Sequence, residues 1–95
     1  MPEMRFDITW PDGVQERCYS PSLVIKDYFE PGRSYAVAEF LQLSRTALSI
    51  ASDRVKAKYG FPCFRALGQL AQIEQAAQRF ADTPDAQIAV IAFHD

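Results

Sequence analysis

The sequence predicts an α+β fold: a two-layer domain in which a small antiparallel sheet is packed by two main helices, in the order β-β-(short α)-α-α-β. Three observations predict it. Residues 3–10 alternate apolar and polar, the period of a half-buried strand, and a turn signal follows at once. The stretch from Ala38 to Tyr59 contains no Gly or Pro and repeats its apolar residues at three- and four-residue steps, the period of a helix. A last apolar run, Ala86 to Phe93, has the length of a strand. Strands and helices segregated in this way build an α+β domain rather than a series of parallel βαβ units. With 95 residues there is room for one core, so residues 1–95 are expected to form a single α+β domain.

In the first strand Met4, Phe6, Ile8 and Trp10 share one face, and Arg5, Asp7 and Thr9 share the other. Pro11, Asp12 and Gly13 then supply the chemistry of a three-residue hairpin with a glycine bulge. Counting outward from Trp10 opposite Val14 places Asp7 opposite Arg17, a cross-strand ion pair, and Cys18 inward beside Phe6. Glu16 falls inward beside Ile8, close enough to the turn to reach water. Ser20 and Pro21 read as the cap and first turn of a short helix over Leu23 to Phe29. Residues 34–37 then lead in extended form into the long helix.

Within that helix Phe40, Leu43, Ala47, Ile50, Ala51 and Val55 form the apolar stripe, widened by Leu41, Leu48 and Ala57. A sector this wide implies two neighbours. Gln42, Arg45, Ser49, Ser52, Asp53 and Lys56 are left for solvent, and Arg54, Lys56 and Lys58 complement the negative end of the helix dipole. Gly60 reads as the C-cap. A second helix is expected from about Cys63 to Phe80, with Ala66, Leu67, Leu70, Ile73, Ala77 and Phe80 inward and with backbone contact to a neighbour at Gly68. The final strand is apolar on both faces, so each face calls for a cover: the helices on one, and the segment near Leu23 to Phe29 or a second subunit on the other. That strand is expected beside the first.

Ten Lys and Arg against twelve Asp and Glu give a net charge of −2, which offers no general attraction to nucleic acid or anionic lipid. The aromatic residues fall at expected core positions rather than among basic ones, unlike a base-stacking platform. The chain carries neither the apolar run of a secretory signal nor about 20 apolar residues in a row, so a cytoplasmic protein without membrane or nucleic-acid partners is expected. Two cysteines and a single histidine fall short of the four ligands of a structural zinc site. No cofactor, metal site or catalytic set is expected, so activity as an enzyme is not. The candidate ligand-binding residues are Cys18, Tyr19, Ser20 and Cys63. Cys63 leads them, because a thiol at a helix start near Arg65 is placed for a lowered pKa; the competing reading is a small residue sealing the corner between Phe61 and Phe64.

Several stretches together resemble a small bacterial family: residues 1–6 (MPEMRF), Trp10-Pro11-Asp12-Gly13, Cys18-Tyr19-Ser20-Pro21-Ser22, Ala51-Ser52-Asp53-Arg54-Val55 and Tyr59-Gly60-Phe61. This is the nitrogen-starvation-response family encoded in nitrilase-containing gene clusters, and the resemblance covers nearly the whole chain. Against that family's pattern, Asp53 stands where Glu is usual, and Phe64 where a smaller polar residue is common. The resemblance implies a role in nitrogen starvation and in nitrile or cyanide use, but brings no catalytic residues. Together with the wide helix sector and the doubly apolar last strand, it leads to the expectation of a non-catalytic accessory protein. Its expected partners are a second copy of the chain, as a homodimer, and an enzyme encoded in the same cluster. The alternative is a small-ligand or thiol-based redox module using Cys63 and Cys18.

Overall fold

The hairpin forms in the register counted from its turn. β1 (Met4–Thr9) and β2 (Gln15–Ser20) pair antiparallel, with Phe6 opposite Cys18, Asp7 opposite Arg17 and Ile8 opposite Glu16. The Trp10 N–H donates to the Val14 carbonyl at 2.8 Å, and Gly13 closes the turn at φ 88°, a conformation open to glycine without steric penalty. The structure, a computed structural model, describes residues 3–83 and 85–94; Met1, Pro2, the loop residue Pro84 and Asp95 lie outside the described residues.

After the hairpin, a 3-10 turn (Leu23–Asp27) takes the place of the expected short helix. Its cap is Ser22 rather than Ser20: the Ser22 Oγ accepts the Val24 N–H at 3.3 Å. Pairing with Met4 holds Ser20 in the β2 ladder, and its hydroxyl donates to the Ser22 carbonyl at 2.7 Å. The extended lead-in becomes a third short strand, β3 (Ser34–Ala36), too brief for an alternation to reveal. With β4 (Gln87–His94) the four strands form one antiparallel sheet in the order β2-β1-β4-β3. β4 therefore lies beside β1, as expected.

α1 (Val37–Tyr59) follows β3 directly and ends where the Gly60 N–H donates to the Lys56 carbonyl at 2.8 Å. α2 (Phe64–Ala77) runs on into a 3-10 turn (Gln78–Phe80). The core lies between the inward face of the sheet and the helices. Met4, Phe6, Ile8, Cys18, Ile88 and Val90 meet Phe40, Ala47 and Leu48 of α1 and Ile73 and Ala77 of α2, all buried. An aromatic cluster anchors it: Phe29 and Phe40 stack with ring centroids 5.0 Å apart, and Trp10 stacks on Phe80 at 6.0 Å.

Four expectations about faces fail for reasons of geometry. Ile25 and Phe29 join the same core as the helices, so the 23–29 segment does not cover the other side of the sheet. Within the single chain, a bulge opposite Asp7 and Ile8 makes Ile91 an extra residue of β4, and it is 48% exposed. Ser52 is buried rather than in solvent, because the chain entering α2 folds back over it. In α2, Leu67 and Gly68 face away from the core; a Cβ built on Gly68 meets nothing within 4 Å, so the expected backbone contact is absent.

Candidate functional site

The four residues singled out from sequence fall on two sides of β2. Cys18 is fully buried against the core, and its Sγ–H lies 3.8 Å from the Glu16 carboxylate. Burial first, and the nearby Glu16 charge second, push this thiol far above its ordinary pKa. A thiol held protonated is a poor nucleophile, so the geometry opposes redox use of Cys18. Ser20 is also buried, its hydroxyl spent on Ser22.

Tyr19 points to the opposite face. The Arg65 guanidinium sits 3.9 Å from its ring centroid, a close cation–π contact, with Arg5 at 5.7 Å. Partial burial raises the phenol pKa, helped by a hydrogen bond to Glu3. On the free edge of β2, the Tyr19 backbone N–H donates to Gln69 Oε1 of α2 at 3.0 Å, which satisfies a group that edge strands otherwise leave open.

Cys63 is half-buried in the capping position before α2, and its backbone N–H donates to Ser52 Oγ at 3.2 Å. The sulfur is near enough to Tyr19 to add to the rise in the phenol pKa. The structure thus brings Tyr19 together with Arg65, which lies two residues beyond Cys63 on α2, while Cys18 and Ser20 face the interior; both cysteines are free thiols. The competing reading made Cys63 a small buried residue sealing the corner between Phe61 and Phe64; the thiol is half-buried, and its two aromatic neighbours are 59% and 72% exposed.

A second cluster escaped the sequence reading in part. On the outward face of the sheet the Arg17 guanidinium grips Asp7 through two contacts, Nε at 2.8 Å and Nη2 at 3.2 Å, and His94 Nε2 lies 2.8 Å from the same carboxylate. Arg17 chiefly holds the Asp7 carboxyl below its usual pKa, against the opposing effect of desolvation and with a smaller contribution from His94. The pair with Arg17 follows from hairpin register. His94 arrives from the far end of the chain because β4 pairs with β1, which places Arg5 opposite His94. Near the turn, Glu16 is partly exposed, as expected, and also accepts the Trp10 indole N–H at 3.0 Å.

An apolar hollow lies elsewhere. A cavity of about 320 Å³ runs between the first turns of α1 and the end of α2, walled by Val37, Leu41, Ala77 and Phe80 and bordered by the Arg45–Glu74 ion pair at 3.0 Å. None of the four sequence candidates lines it. Among the described residues no group of three or more His, Cys, Asp or Glu is placed to hold a metal ion, and no helix is long and apolar enough to cross a membrane.

Compared with known proteins, residues 5–93 match the family model described as nitrogen starvation-induced protein NitG. The chain belongs to the NitG family. No curated protein and no solved structure matches it. Membership of NitG ties the chain to the nitrogen starvation response and agrees with the resemblance read from its motifs. In this NitG chain the residues that sequence reasoning misplaced are mainly the exposed ones at the α1–α2 corner. Tyr59, Phe61 and Phe64 are aromatic and were assigned to core by residue type, yet they project beyond the buried part of α1, whose last buried residue is Ser52.

Proposed function

We propose that this NitG protein is a non-catalytic accessory protein of nitrogen-limited metabolism that works by binding other proteins. It acts as a homodimer and engages an enzyme encoded in the same cluster, in the use of nitrile or cyanide nitrogen. Family membership supports the process, since NitG is a nitrogen starvation-induced family. The observation that carries the binding role is the run of exposed large apolar side chains at the α1–α2 corner: Tyr59, Phe61, Phe64 and Leu67. Contiguous exposed apolar surface on a small domain marks an interaction site far more often than solitary exposed residues do. The test is affinity purification with mass spectrometry from nitrogen-starved cells expressing the tagged full chain. Stoichiometric recovery of an enzyme from the same cluster is the expected result; recovery of none, with the bait intact and folded, overturns the enzyme-partner reading.

A small-ligand role is the second reading, and the cavity beside Leu41 and Phe80 favours it over the neighbourhood of Cys18. A volume of about 320 Å³ is within the range of small-molecule sites. A thermal-shift screen with nitriles, their amide and carboxylate products and common cofactors decides it: a shift that vanishes when the exposed cavity residue Ala81 is replaced by Phe supports this reading, and no shift removes it.

A further inference from the structure

The cavity between the start of α1 and the end of α2 exists because much of its wall is made of small residues. Ala36, Ala38, Ala77, Ala81 and Ala86 line it, and they leave open a volume that larger apolar side chains would fill. Val37, Leu41 and Phe80 supply the broader apolar surfaces. A cavity of about 150 Å³ is enough to take up benzene. This one, at about 320 Å³, has room for a ring and a short polar arm.

The polar end of the cavity narrows the chemistry of what it can hold. Arg45 and Glu74 are the two charged residues among its described lining residues, and they neutralise each other. Arg45 Nε and Nη2 both donate to one carboxylate oxygen, Glu74 Oε2, at 3.2 and 3.0 Å. The second oxygen, Oε1, is left as an acceptor, and the guanidinium keeps further N–H groups to donate. A ligand head at this end therefore meets a donor and an acceptor with no net charge between them. A carboxylate there would lie against Glu74 and an ammonium against Arg45, and like charges set together are disfavoured. A nitrile or an ester accepts from Arg45 but has no N–H for Glu74. A primary carboxamide carries a carbonyl and an N–H on the same carbon and suits both.

We propose that this cavity binds a small, neutral primary carboxamide with an apolar body. Arg45 donates to the ligand carbonyl, Glu74 Oε1 accepts the ligand N–H, and the body lies against Leu41 and Phe80. The inference rests on the small-ligand reading of this cavity and names the class of ligand.

The test is an amide NMR titration of the isotope-labelled full chain with three probes of similar size, phenylacetamide, phenylacetate and phenethylammonium, each up to about 10 mM. The expected result is that phenylacetamide shifts the signals of Leu41, Ala77 and Ala81 and binds at least about tenfold tighter than the acid or the amine. Ala81→Phe, at an exposed position, removes that binding and leaves the folded spectrum intact. Glu74→Gln leaves Arg45 unopposed and turns the preference toward phenylacetate, and Arg45→Gln turns it toward phenethylammonium. A preference that neither charge variant moves overturns the placing of the polar head at this pair. Acid or amine bound in the cavity as tightly as the amide overturns the carboxamide and leaves a small-ligand site standing. Shifts that survive Ala81→Phe overturn the cavity as the site. No shift with any probe overturns the carboxamide, and the small-ligand reading is then decided by the thermal-shift screen alone.

Discussion

The β1–β2 hairpin and the α1–α2 corner are both chain reversals rich in aromatic and apolar residues, and they place those residues in opposite surroundings. In the hairpin, Met4, Phe6, Ile8 and Trp10 are buried, the indole N–H is bonded to Glu16, and Asp7 is gripped by Arg17 across the strands. At the corner, Tyr59, Phe61 and Phe64 are exposed, and two backbone N–H groups tie the reversal down: Gly60 donates to the Lys56 carbonyl and Cys63 to the Ser52 hydroxyl. The difference lies in what each reversal has beneath it. Strand pairing fixes the hairpin as one face of the core, whereas the last turns of α1 run past the core and carry the corner with them. One reversal stabilises the monomer; the other presents surface.

The largest effect that tests this contrast is a pair of truncations. Phe6→Ala removes a fully buried ring and is expected to destabilise the fold by about 3–5 kcal/mol in urea unfolding, while Phe64→Ala, measured where the chain is monomeric, stays within about 0.5 kcal/mol. Comparable losses at both positions would mean that the corner packs against something within the chain. Next is Glu16. Replacement by Ala strands the buried Trp10 indole N–H and is expected to cost about 1–3 kcal/mol, with most of that recovered in Glu16→Gln, which keeps an acceptor. Equal losses in the two variants would point to the charge rather than the hydrogen bond.

Gly68→Ala works in the other direction. Its Cβ enters open space on a helix, so thermal unfolding of the monomer should show a gain of up to about 1 kcal/mol. A loss would reveal a contact at the exposed face of α2. The smallest effect concerns pH. Arg17 depresses the folded pKa of Asp7, so the stabilisation is present above the unfolded carboxyl pKa and disappears as the pH falls through the lower folded value. Asp7→Asn should therefore flatten the acid-side loss of stability below about pH 4, by less than about 1 kcal/mol because the pair is partly open to solvent. A urea titration series at several pH values reads it, and an unchanged slope would show the ion pair to be energetically silent.

Much of this molecule was legible in advance where the information is local. Alternation and the Pro11–Gly13 turn are enough to derive the hairpin with its full register, and the absence of Gly or Pro before Gly60 locates α1 to within a residue at its start. The motifs from residue 1 to Phe61 also pointed to the nitrogen-starvation family that the chain belongs to. Less of the candidate site could be read. Cys18 and Tyr19 are neighbours in sequence, but successive strand residues point to opposite faces, so a site that joined them was divided by the pleat. His94 meets Asp7 only through the pairing of β4 with β1, and β3 has too few residues to declare itself.

By itself, then, the sequence determined the hairpin, the two main helices, the last strand, the hairpin register and the family, because each depends on periodicity, turn chemistry or motif within a short span. Tertiary structure alone decided which apolar residues the core would take. Leu67 and Ile73 share a helix and a hydrophobic character, yet one is exposed and the other buried. Burial is settled by which side of α2 the sheet and α1 occupy, and that is a property of long-range packing, to which residue type is blind.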